Sequence, residues 1–273
     1  MKSLTVVLAV PLLVLTGCPR EREELTAAEA RQALEEASDA GQAEALTGAS
    51  VDIATRFTLG QAVDEAAAQL RAFIAAQLPC AEVELEQATL RVTYGARAGN
   101  CRYRGHEFSG THELSIERNE DASVEVHHEW IGFSNGVVTL DGTADVTWDF
   151  ATETRRVRHE SQWRHLDSGR SGTGYGDRVQ TVLAGGLAEG ILIDGSRAWD
   201  GELGHWNLAI DGVKMRWSDP VPEAGSYTLY TPFDKNARLS FDRVDADTIR
   251  VTVAGRKREF SFTVGQLGAI AED

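Results

Sequence analysis

From about Val83 to Val264, apolar and polar side chains alternate with a period of two, and no other feature limits the fold as strongly. A β-strand points successive side chains to opposite faces, so alternation of this kind specifies one buried and one wetted face. Leu114-Ser115-Ile116 and Val124-Glu125-Val126 flank Arg118-Asn119-Glu120-Asp121, which reads as a hairpin turn. Ser134-Asn135-Gly136 joins the next pair, and Asn-Gly between alternating apolar runs is a strong hairpin signal. With Gly136 in the left-handed position of a three-residue loop, Phe133 opposes Val137, and Trp130, Val126 and Val124 face Leu140, Ala144 and Val146. A two-residue loop shifts every side chain to the other face and spoils this match. Leu239 to Val264 reads as three strands joined near Asp245-Ala246-Asp247 and Gly255-Arg256-Lys257.

The stretch before this follows a different period. Thr26-Ala27-Ala28-Glu29 fits a capping box, after which Ala30, Ala33, Leu34 and Ala37 share a face with Leu25, and Gly41 is the expected stop. A second helix is expected from about Gly60 to Leu78, with Val63, Ala66, Ala67, Leu70, Phe73 and Ile74 at helical spacing and Pro79 ending it. Val51 to Phe57 alternates and reads as a short strand. The fold class is therefore α+β: two N-terminal helices, then an antiparallel meander of about twelve strands that must curl or split into two layers. The expected boundaries are residues 1–17 for an export signal, 18–25 for a tether, 26–82 for the helices packing on the sheet and 83–273 for the β region. Helices and sheet are expected to form one domain. A break into two subdomains would fall in Ser168 to Gly176 or at Ala184-Gly185-Gly186.

The first residues supply an address. Lys2 precedes the apolar stretch Leu4 to Thr16, which is too short for a stable bilayer span of about 20 residues. Leu15-Thr16-Gly17-Cys18 follows, and it resembles the lipobox of bacterial lipoproteins. That resemblance implies cleavage before Cys18 and acylation of its thiol, hence a protein held to the outer or inner membrane of a cell envelope, since several acyl chains bind far more firmly than one. The tether Pro19 to Glu24 reaches at most about 20 Å. With Cys18 lipidated, Cys80 and Cys101 are left as the one possible pair, and exported compartments oxidise such pairs. Closing a loop of about 20 residues stabilises by roughly 3 kcal/mol.

Composition narrows the partners. The 273 residues include 42 acidic and 27 basic side chains, a formal net charge of −15, which repels a phosphate backbone, so no nucleic-acid partner is expected. Catalytic patterns are sparse. Gly172-Thr173-Gly174-Tyr175-Gly176 lacks the Lys-Ser/Thr of a phosphate-binding loop and reads as a flexible hairpin connection. Gly169-Arg170-Ser171-Gly172 has the wrong spacing for a nucleophile elbow. Three Asp-Gly pairs, each ahead of a tryptophan (Asp141-Gly142 and Trp148, Asp194-Gly195 and Trp199, Asp211-Gly212 and Trp217), lack the calcium-loop pattern and read as turns or bulges. Among seven histidines, His112 is placed to lie opposite His127 or His128, with Glu113 or Glu129 close by. Two imidazoles across a strand pair suit zinc or copper, yet His127 and His128 point to opposite faces, so at most one can join. We assign no metal, cofactor or catalytic residue.

The lipobox, Ala-rich helices, cysteine pair across the first hairpin and Asp-Gly/Trp units together resemble uncharacterised β-rich envelope lipoproteins of GC-rich Gram-negative bacteria. The resemblance implies an envelope location and carries no activity. Three roles stay open: a non-enzymatic binding or structural lipoprotein, which the sequence favours; a carrier of an apolar ligand or lipid, which needs a cavity inside the curved sheet; and a hydrolase acting on envelope glycan or peptide, which needs a buried carboxylate pair or His–carboxylate pair in a cleft.

Overall fold

The computed structural model describes residues 24–57, 61–103, 105–120, 123–149, 151–186, 189–216, 222–265 and 269–272. Cys18 and Trp217 lie outside these, as does Gly60, the expected start of the second helix.

Helix α1 spans Ala27–Ile53 and opens with the expected capping box: the Glu29 amide donates to Thr26 Oγ1 (3.2 Å) and the Thr26 amide to the Glu29 carboxylate (2.8 Å). It does not stop at Gly41, and Val51–Ile53, expected in a strand, forms its last turn. Glycine inside a helix costs about 1 kcal/mol, which the burial of the helix on nearly all sides outweighs. Val51 and Ile53 alternate with Asp52 because α1 is enclosed, not because the chain is extended. Helix α2 spans Val63–Gln77 and buries Ala66, Ala67, Leu70 and Ile74.

The strands are β1 (Glu82–Glu86), β2 (Thr89–Tyr94), β3 (Arg102–Tyr103), β4 (His106–Glu107), β5 (Ser109–Glu120), β6 (Ser123–Ser134), β7 (Val138–Asp149) and β8 (Thr154–His165), followed by β9 (Ser171–Val182), β10 (Ile191–Gly201), β11 (Gly204–Met215), β12 (Ala224–Tyr230), β13 (Asn236–Arg243), β14 (Thr248–Ala254), β15 (Glu259–Gly265) and β16 (Ile270–Glu272). Fourteen of them form one antiparallel meander in the order β1-β2-β5 and then consecutively to β16; β3 and β4 make a separate ribbon. Pairing continues through β8, β9 and β10, so neither expected break divides the sheet.

Two expectations about this sheet need correction. The glycine string 172–176 is not a hairpin connection but the interior of β9. Gly172 and Gly174 lie under the Trp163 ring and Gly176 lies under the His159 ring, so side chains on β9 would displace both. The β6–β7 loop does have three residues, with Gly136 at φ 82°, but Phe133 faces Leu140, not Val137, and Val126 faces Val146. Ser134 pairs with Thr139, so the turn closes later in the chain than expected; a bulge, in which Ile131 and Gly132 together oppose Asp141, then shifts the register by one residue from Trp130 onward. The Gly132 amide donates to Asp141 Oδ1 at 2.6 Å.

A second bulge repeats this arrangement. Asp211 and Gly212 of β11 oppose Asp194 of β10, and the Gly212 amide donates to Asp194 Oδ1 at 2.8 Å. The Asp-Gly pairs are thus bulge hardware inside strands, with the aspartate of one strand satisfying the amide that the bulge strands in the next. A bulge bends its strand and increases its twist, which curls the sheet around α1.

The helix runs lengthwise through this curl. Its 27 residues measure about 40 Å, matching the roughly 40 Å of a 12-residue strand. At its start, Lys235 Nζ donates to the Glu24 carbonyl (3.0 Å) and the Glu29 carboxylate (2.7 Å), and the Lys257 amide donates to Glu24 Oε2 (3.0 Å). Lys235 and Lys257 belong to turns 231–235 and 255–258; we call this end of the sheet, with turns 135–137, 166–170 and 202–203, the proximal end. Near its finish, Asp52 accepts from Arg155 Nη2 (3.0 Å) at the start of β8, the distal end. Helix α2 packs on β1, β2 and β5, and the expected Cys80–Cys101 disulfide closes the proximal side there.

Candidate functional site

The inner face of the sheet is not uniformly apolar. Arg155 shares its parity on β8 with Val157, His159 and Trp163, and Arg178 shares its parity on β9 with Gly174 and Gly176, so both point at α1. The helix answers with carboxylates set among alanines: Glu36, Asp39, Glu44 and Asp52. Arg170 from turn 166–170 reaches Glu36 and also Asp39, the latter at 2.8 Å. Arg197 Nη2 donates to the Ala37 carbonyl at 3.1 Å. Trp130 Nε1 donates to Ser50 Oγ at 2.9 Å.

Glu44 is the centre of this seam. His159 Nε2 lies 3.1 Å from its Oε2, and Arg178 holds its other oxygen. Burial alone would raise the Glu44 carboxyl, but Arg178, His159 and Arg197 together hold it far below the usual carboxylate range. The two carboxyls nearer the proximal end behave oppositely. Burial pushes Glu36 and Asp39 up, and Arg170 offsets that only in part. The cavity bounded by Glu44, His159, Tyr175, Arg197 and Trp199 has a volume of about 10 Å³, room for about one water. A buried His–carboxylate pair, the feature expected of a hydrolase, is therefore present, but it is closed over by α1 and has no space for a substrate. The space inside the curl that a carried lipid would occupy holds α1 as well.

The histidine expectation is met in part. His112 lies opposite Trp130, not opposite His127 or His128, but it reaches diagonally to His128, with Nε2 of His112 3.0 Å from Nδ1 of His128. Both rings are fully buried against Trp130. Burial drives His112 down to about 3 and, with the neighbouring His112, drives His128 well below its ordinary value, so both are neutral at physiological pH. Glu113 and Glu129 pair with each other on the outer face, across the sheet from the imidazoles, and do not join them. Among the described residues no cluster of three metal-ligating side chains forms. His127 faces outward to Asp145 (2.8 Å), and His205 to Asp200 (2.7 Å).

On the outer face, near the proximal end, lies an open groove of about 560 Å³ floored by β7 to β10 and lined by Asp141, Gln162, Arg164, Thr173, Asp200 and Glu202. Asp141 accepts from the Gly132 amide, and Asp200 is hydrogen-bonded to His205, so the groove carries a His–carboxylate pair that is exposed to solvent. Sequence reasoning missed the α1 carboxylates and their arginines. The available signal was parity: arginines at inward positions of strands, and Glu36, Ala40 and Glu44 spaced four apart on a helix.

No protein family matches this sequence, no curated protein is similar to it, and no solved structure matches its fold. Among the described residues no helix is long and apolar enough to cross a membrane.

Proposed function

We propose that this chain is a lipoprotein of the cell envelope, anchored through an acylated Cys18 and acting as a binding or structural component, not as an enzyme. The observation that carries the reading is Leu15-Thr16-Gly17-Cys18 directly after a short apolar segment. The Cys80–Cys101 disulfide supports it, because such bonds persist in oxidising compartments. Support for a non-enzymatic role comes from the polar seam, whose charges are matched within the chain and face no cleft, leaving the outer surface as the part a partner can meet.

The test is expression of the full chain in a Gram-negative host, with mass spectrometry of its N-terminal peptide and fractionation of the membranes. The expected product begins at a diacylated or triacylated Cys18 and sediments with membrane; Cys18→Ala removes both properties. A chain that retains residues 1–17, or that carries an unmodified Cys18 and stays with the aqueous fraction, overturns the reading.

A further inference from the structure

The anchor reading concerns residues outside the described structure, but the described residues say which end of the molecule such an anchor would draw down. Glu24 sits at the proximal end, tied by Lys235 and by the Lys257 amide. Leu25 packs against Gly255 of the same end, where a β-carbon on the glycine would come within 3.1 Å of it. Only Pro19 to Glu23 separate Cys18 from this point, a reach of at most about 20 Å.

The surface at that end has the chemistry of a lipid contact. Leu166 and Leu203 occupy the tips of turns 166–170 and 202–203 and are 48% and 47% exposed. Each leaves about half of its surface in water, and apolar side chains at turn tips are what a bilayer interface accepts. Tyr230, 45% exposed, ends β12 at the same level, where an amphipathic ring suits the headgroup region. Turn 255–258 adds Arg256, Lys257 and Arg258, all exposed; the Glu24 carboxylate meets the Lys257 amide, and among the described residues none of the three side chains forms an ion pair. In a chain of net charge −15 this basic run stands out, and it lies beside the residue from which the tether leaves. Asp167, Glu202 and Asp234 share this end, and Asp200 is engaged by His205, so the contact is local to the leucine tips and the basic turn.

We infer that the proximal end is a membrane-facing surface, with Leu166 and Leu203 entering the headgroup layer of the bilayer and Arg256-Lys257-Arg258 meeting anionic lipid phosphates. The domain then stands with its strands upright on the membrane and its distal turns away from it. The inference rests on the anchor reading and adds an orientation to it.

The experiment uses the full, processed chain in vesicles of phosphatidylethanolamine and phosphatidylglycerol, with a polarity-sensitive fluorophore on Leu166→Cys, Leu203→Cys or, at the distal end, Val244→Cys. Val244 is 53% exposed, so the three sites start from similar solvation. Flotation with the vesicles reports the anchor and the emission wavelength reports the orientation. Flotation with a blue shift and quenching by brominated lipid at positions 166 and 203, and neither at 244, supports the inference. Replacing Arg256, Lys257 and Arg258 by Gln should reduce the shift on anionic vesicles to that on phosphatidylcholine alone. A chain that floats with its labels unmoved, or moved equally at both ends, overturns the inference and leaves the anchor standing. A chain that does not float overturns the anchor reading and this inference with it.

Discussion

Acid should destabilise this protein through His112 and His128. Both imidazoles are neutral in the fold and able to take a proton in the unfolded chain, so lowering the pH favours the unfolded chain. The loss begins near the ordinary value of 6.5 and ends only near the folded value, about 3 for His112. Over the interval from about pH 7 to about pH 5, one such group costs about 2 kcal/mol and the pair about 4 kcal/mol. With a urea slope of roughly 3 kcal/mol per molar for a domain of this size, the unfolding midpoint falls by roughly 1.3 M. Tryptophan fluorescence is the natural probe, since Trp130 touches both rings. His106, also lowered by burial, acts in the same direction. Glu36 and Asp39, raised by burial, act in the opposite one, their carboxyls gaining protons in the fold as the pH falls. The decisive comparison is therefore between the natural chain and the His112→Leu/His128→Leu chain, in which only the pair is removed. The double variant should lose about 4 kcal/mol less over this interval. If its pH dependence matches the natural chain to within about 1 kcal/mol, the imidazoles are not buried as neutral groups and the reasoning fails.

Glu44→Gln should destabilise by about 3–5 kcal/mol in urea unfolding near neutral pH, because it strands Arg178 and Arg197 beneath α1 without a counter-charge; a loss under about 1 kcal/mol would show that the seam is hydrated. Two glycines should respond in opposite senses. Gly142→Ala drives a β-carbon into the Glu160 carbonyl at φ 155° and should cost about 2 kcal/mol or more, whereas Gly48→Ala in α1 meets no atom within 4 Å and should stabilise by about 0.5–1 kcal/mol. Thermal unfolding of the two variants side by side decides both.

Much of the fold was legible because one period dominates the chain. Three closing strands, the capping box, α2 and the two-helix-then-sheet order follow from side-chain alternation and local hydrogen bonding alone. What was not legible depends on partners distant in sequence. Gly41 looks like a helix stop until Arg197 is brought beside it, at 3.5 Å from where its β-carbon would be. Gly172 to Gly176 looks like a loop until Trp163 and His159 are laid over it. The Trp130 register looks settled by the turn until Asp141 proves able to hold a bulge open between Trp130 and Phe133. The candidate site was harder still, since a carboxylate at position 44 and an arginine at position 178 leave no local trace of one another, and only their parity hints that both face inward.

The lengthwise passage of α1 through the curled sheet also has a mechanical side. Tension applied at residue 24 is passed along the helix, whose contacts run from turns 231–235 and 255–258 to β6 and β8. It therefore bears on the Lys235, Arg170, Arg197, Glu44 and Arg155 contacts spread along α1 and not on one edge strand. A molecule held by this end shares the load among contacts distributed over the length of its helix.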